Sequence, residues 1–307
     1  MIGAAVIALT LAASGAGWAS PPQDPPAPSG DAPAVQLEEV IVEGRTLREA
    51  VDQFVEEIVA PPVGRGPARW NRRVCVGVVN VRGQAAQALI DQVSSVALQA
   101  GLDIGEPGCR PNILVLATDD GQELAQALVA REPLLFRPQY SGAARSSEAL
   151  ERFQESAAPV RWWHVSMPVN VDTGEVAVRL DGEEAPSLRV RSASRLAANV
   201  RDDLKRVVII LDVSQIGVIP FGALSDYVAM AALAQIDPEA DTSAYPTVLN
   251  LFADRAAGVE APEALTDWDR DYLRGLYTAP EGRARATQQE RAIAGEILNG
   301  SSSTDLE

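Results

Sequence analysis

Three consecutive stretches decide how this chain is read: Arg73–Val81 (RVCVGVVNV), Gly83–Ala100 (GQAAQALIDQVSSVALQA) and Asn112–Thr118 (NILVLAT). The first and third are short runs of β-branched and aliphatic residues, the pattern of buried strands. The middle one sets Ala86, Leu89, Ile90, Val93, Val96 and Ala97 along one side of a helix, and Gly101 follows as a C-cap. A β-α-β order within about 45 residues predicts a parallel pair joined by a right-handed crossover. A further helical pattern over Gly121–Arg131 extends the unit to β-α-β-α.

The two cysteines belong to this unit. Cys75 lies in the first strand and Cys109 just before the second, so a bridge between them would pin the sheet at one end. A sparse, even cysteine count fits a disulfide in an oxidising compartment. The N-terminus points the same way. Ile2–Ala13 is an apolar run followed by small residues, and Gly17-Trp18-Ala19 offers a cleavage site after Ala19, as in an export signal, although no Lys or Arg precedes the run. Residues 1–19 are therefore expected to be a signal peptide and 20–34, which contains PPQDPPAPSGDAP, a proline-rich tether.

Beyond Arg131 the pattern is less regular. Pro133–Ala144 reads as loop, Ser146–Gln154 as a short helix and Val160–Val169 (VRWWHVSMPV) as a strand. Asp172–Pro186 suits a hairpin, with Val176, Val178 and Leu180 alternating between Gly174 and Gly182. Arg206–Val213 (RVVIILDV) is the strongest buried strand. Helices then follow over Phe221–Ile236, Tyr245–Ala253, Thr266–Tyr277 and Gln288–Leu298. An earlier helix over Thr46–Val59 opens on a Thr46/Glu49 capping box. The expected fold class is α+β. An α/β lobe (35–144) with one disulfide would precede a lobe of helices on a short sheet (145–298), and a polar tail without fixed structure would close the chain (299–307).

Composition narrows function. The net charge is −16, and no basic stripe with interleaved aromatics is visible in the sequence, which argues against nucleic acid and anionic lipid as partners. Aromatic residues make up 5%, too few for the girdles of a membrane barrel, and the apolar N-terminal run is short for a span, so no stable membrane insertion is expected after signal cleavage. Glu38–Arg45 sits in a stretch, LEEVIVEGR, that resembles the energy-coupling box of TonB-dependent receptors; that likeness would imply an accessory role in energy-coupled transport.

His164 is the one histidine, so paired-imidazole zinc sites are impossible and no cofactor is expected. Alternation along the strand puts Trp162 and His164 on one face and Trp163 on the other, with Arg161 at the edge of a possible ligand-facing ladder. Asp267-Trp268-Asp269-Arg270-Asp271 opens like a calcium loop but continues with Tyr272 and Thr278 where Gly and Glu are needed, so it reads as the capped start of a helix.

From about Arg206 to Tyr277, the order Ser225-Asp226-Tyr227, Thr247-Val248-Leu249-Asn250 and LTDWDRDYLRGLY resembles a family of exported bacterial proteins of uncharacterised role. RWNRRVCVGVV, PGCRPN and VRWWHVS resemble the same family, which is distantly similar to zincin-type metallopeptidases. The resemblance implies a shared fold with the metal-binding histidines lost, since the matching helix offers only Asp226 and Tyr227. The expected function is a non-catalytic envelope protein that binds another protein or a cell-wall component. The alternative is a zincin-like hydrolase with an atypical site. Trp162, His164, Asp226 and Tyr227 are the candidate binding residues.

Overall fold

The computed structural model describes residues 46–61, 65–137, 145–178, 198–281 and 285–304. The expected signal peptide, the tether, the Glu38–Arg45 segment and the second arm of the expected hairpin lie outside them.

The strands are β1 (Val76–Val79), β2 (Ile113–Thr118), β3 (Val160–Asn170) and β4 (Val200–Asp212). They form one mixed sheet in the order β1-β2-β4-β3. β1, β2 and β4 run parallel, with Val76 opposite Ile113 and Ile113 opposite Val207. β3 closes one edge antiparallel to β4, with a register shift between Val165 and Ser166. The β-α-β unit is present as read, with α2 (Gly83–Gln99) as its crossover. The fold is α+β, and Cys75 and Cys109 are joined by a disulfide.

Helices cover both faces. On one side, α3 (Gly121–Arg131), α4 (Pro133–Phe136) and α5 (Ser147–Glu155) enclose a small core around Phe136, Phe153, Trp163 and Ile210. On the other lies the main core, built with α1 (Leu47–Ile58), α2, α7 (Phe221–Leu233), α9 (Asp267–Thr278) and α10 (Ala286–Thr304). The short α6 (Val213–Ile216) and α8 (Leu251–Ala257) complete the set. Every residue of α7 from Ala223 to Leu233 is buried, as expected of a helix apolar all round.

The two lobes drawn from the sequence are one unit. β4 from the second inserts beside β2 from the first, and a single core joins Val51 to Ile297. The boundary at 144 fails because strand pairing here is non-local, and the sequence pattern reports only local periodicity. Two smaller expectations also change. Pro133–Phe136 is a helical turn with Pro at its start, a position where the missing N–H is harmless. The polar residues after Leu298 continue α10 to Thr304, where Gly300 lets the helix lie against the Arg274 guanidinium of α9. Packing there overrides weak helix propensity.

Candidate functional site

The C-terminal end of α7 organises this part of the molecule. The last carbonyls of a helix have no partner within it. Here they are met by side chains from elsewhere. Trp70 Nε1 donates to the Ala232 carbonyl at 3.0 Å, and the Tyr277 hydroxyl donates to that of Leu233. His164 Nε2 lies 2.8 Å from the Ala231 carbonyl oxygen, so Nε2 carries the proton. Just past the helix, Trp162 Nε1 donates to the Ile236 carbonyl at 2.9 Å. Of the four predicted residues, His164 therefore caps the end of α7, and Trp162 holds the chain that leaves it.

His164 is buried, and among the described residues its Nδ1 has no hydrogen-bond partner. Burial pushes its pKa down from 6.5 to about 4; the Ala231 carbonyl opposes that shift, and Arg145 and Asp237 act in opposite directions. A neutral imidazole held against a carbonyl is not poised as a general base.

Asp226 and Tyr227 sit in the first half of the same helix and do different work. Asp226 Oδ1 accepts from Gln92 Nε2 at 2.5 Å, and Oδ2 accepts from the Leu265 backbone N–H at 2.8 Å, tying α7 to α2 and to the approach to α9. Tyr227 is buried edge-on to Phe252 and Trp162, with ring centroids 5.0 and 6.0 Å away, and burial raises its pKa. The four residues do not line a common cleft. Asp269 is also structural. Fully buried, it accepts from Thr247, Val248 and Thr266 and so completes the α9 capping box. Among the described residues, no group of three or more His, Cys, Asp or Glu is placed to hold a metal ion.

Of the predicted set, Trp162 borders a cavity of substantial size. This cleft of about 260 Å³ lies at the start of β3, and its lining includes Arg161, Trp162, Trp163, Phe153, Arg145 and Arg152. Arg145 lies 5.8 Å from the Trp163 ring centroid and pairs with Asp237 at 2.9 Å. Arg152 pairs with Glu239 at 2.7 Å.

Arg161 differs from both. It is 3% exposed, Asp212 Oδ2 lies 3.9 Å from it, and among the described residues its Nε and Nη1 have no hydrogen-bond partner. Burial lowers its pKa, while Asp212 and Asp120 oppose that. Gly121 makes room for it: a Cβ there would stand 2.8 Å from Arg161 Nη2. Arg161 was legible as the edge of the Trp162 ladder. Arg145, Arg152 and Phe153 were not, because they reach the cleft from α5 and the segment before it, with no sequence pattern linking them to β3.

No protein-family model, curated protein or solved structure matches this chain.

Proposed function

We propose that this chain is an exported, non-catalytic protein of the cell envelope that binds a protein or cell-wall ligand in the cleft at the start of β3. The observation that carries the reading is Arg161, a buried residue of the cleft wall whose guanidinium has, among the described residues, two nitrogens without an acceptor. A buried donor left unsatisfied costs about 1–3 kcal/mol, and a ligand oxygen would relieve that cost. Trp162, Trp163 and Phe153 add apolar and aromatic wall around it, a composition suited to sugar rings or peptide groups. The cleft's lining includes Ser156 but no histidine or cysteine, which favours binding over covalent chemistry. The apolar leader-like run and the disulfide support an extracytoplasmic setting.

The test is titration of the whole chain with soluble muropeptides, read by tryptophan fluorescence, together with cross-linking to envelope proteins. Saturable binding that Arg161→Gln weakens about tenfold supports the reading, in line with the strength of a charged hydrogen bond. Absence of both muropeptide binding and a cross-linked partner that depends on Arg161 rejects it.

A further inference from the structure

A second feature lies at the opposite end of the parallel strands. Arg72 and Arg73 lead into β1, and Arg110 leads into β2. Arg206 lies in β4 at the same level, because its neighbour Val207 pairs with Ile113, the first residue of β2. Arg72, Arg73 and Arg110 line one cavity of about 470 Å³, together with the disulfide and Asn112.

The backbone that presents these arginines is held by several independent ties. Cys75 and Cys109 are bonded. The Asn112 side chain accepts from Cys75 N–H at 2.7 Å and donates to the Arg73 carbonyl at 2.9 Å. The Val74 N–H donates to the Asp103 carbonyl, and the Gly105 N–H donates to the Val74 carbonyl. The loop between α2 and β2 is thus clamped onto the chain entering β1.

The side chains on this frame are unmatched. Among the described residues, none of these four guanidinium groups makes a hydrogen bond or ion pair, whereas Arg69, Arg145, Arg152 and Arg201 each meet a carboxylate within 3.0 Å. Among the described residues, Glu106 is the one carboxylate on the cavity wall, and Asp103 borders the adjoining hollow. Arg206 feels its neighbours: burial lowers its pKa first, and Arg110 and Arg72 lower it further. The chain has 42 acidic against 26 basic side chains, so counter-charges are abundant, yet among the described residues none of them pairs with these four arginines. A lone exposed arginine is simply solvated. Here the fixed backbone sets three exposed arginines around one cavity, where like charges repel, and the partner they suit is an anion with several oxygens, which the guanidinium fork matches.

We propose that the cleft between the disulfide loop and the entry to β1 binds a multiply charged oxyanion of the phosphate class, with Arg72, Arg73 and Arg110 as its ligands and Arg206 behind them. The site is separate from the β3 cleft and does not depend on the reading given for it. It also revises the view from composition, because a chain of net charge −16 carries a local basic site assembled from non-adjacent segments.

The probe is inorganic tripolyphosphate, titrated calorimetrically into the full chain at low and at physiological salt. The expected result is one saturable site whose affinity falls with salt. Arg72→Gln combined with Arg110→Gln should weaken it by about tenfold or more per arginine, and Arg72→Lys with Arg110→Lys should recover part of the loss. Arg161→Gln should bind as wild type does. Absence of saturable binding by the wild type overturns the proposal whatever the variants do. So does equal binding by the double glutamine variant, or loss of binding in Arg161→Gln alone, which would move the anion to the β3 cleft. A vesicle arm identifies the source. Sedimentation with phosphatidylglycerol but not phosphatidylcholine vesicles, competed by tripolyphosphate, assigns a lipid headgroup and supports the site. Tripolyphosphate binding without vesicle binding assigns a free phosphate and supports it equally.

Discussion

His164 shows how a residue singled out for chemistry can serve architecture. Its face on β3 was correctly readable from alternation, but its partner, the Ala231 carbonyl at the end of α7, lies 67 residues away and leaves no trace in local sequence. The same holds for Trp70, which meets the Ala232 carbonyl of that helix end, and for Trp162, which meets Ile236 just past it: aromatic N–H groups are conspicuous in a sequence, and the distant carbonyls they meet are not. The capping role has a pH consequence. His164 takes up a proton near its ordinary value of 6.5 when unfolded but only at about 4 when folded. The unfolded chain therefore binds more protons between those values. Stability from this group is present above 6.5 and is lost as the pH falls towards 4, by about 3 kcal/mol in total. Replacing His164 with Gln removes the titration. Urea midpoints measured from pH 7 to pH 4 should fall more steeply for the wild type than for His164→Gln; parallel slopes would show that this imidazole is not buried neutral.

At the scale of elements, local signals read well. Both capping boxes, Thr46 with Glu49 and Thr266 with Asp269, form as their spacing indicates, since each needs only four consecutive residues. The extent of β4 was underestimated. Its first half, Val200–Lys205, is polar and pairs with the end of β3, so no apolar run marks it. The link between β1 and β2 was readable from cysteine placement, and the structure adds the reason for its tight fit: a Cβ at Gly105 would stand 2.5 Å from Cys109 Sγ. The disulfide closes a separation of 34 residues, which in the chain-entropy picture is worth roughly 4 kcal/mol through restriction of the unfolded chain. Cys75→Ser with Cys109→Ser should lower the unfolding free energy by about that amount. Wild type measured in reductant should match the variant. An unchanged urea midpoint would mean that the hydrogen bonds of Asn112 hold this edge unaided.

For the whole molecule, the decisive fact is that β4 stands between β2 and β3. Helical and strand periodicities change character near 144, which suggests a division there, yet the sheet is completed across it. Ile113, Val115 and Ala117 of β2 share one core with Val207, Ile209 and Leu211 of β4 and with α7. A fragment ending at 144 would leave β2 as an open edge and expose the face of α2 that packs on α7. At about 1.5–3 kcal/mol for each fully buried aliphatic side chain, uncovering the β2 and α2 residues that pack on β4 and α7 removes an amount comparable with the 5–15 kcal/mol that stabilises an ordinary domain. The fragment 46–144 should therefore show no cooperative urea transition, and the full chain should unfold in one step, with tryptophan fluorescence and far-UV circular dichroism giving the same midpoint. Fluorescence tests this well, because Trp70, Trp162 and Trp163 are spread over the helix end and both faces of the sheet. Two separated midpoints in the full chain, or a folded fragment, would mean that the sheet is two pieces in contact rather than one, and that the β3 cleft and the arginine cleft could open independently.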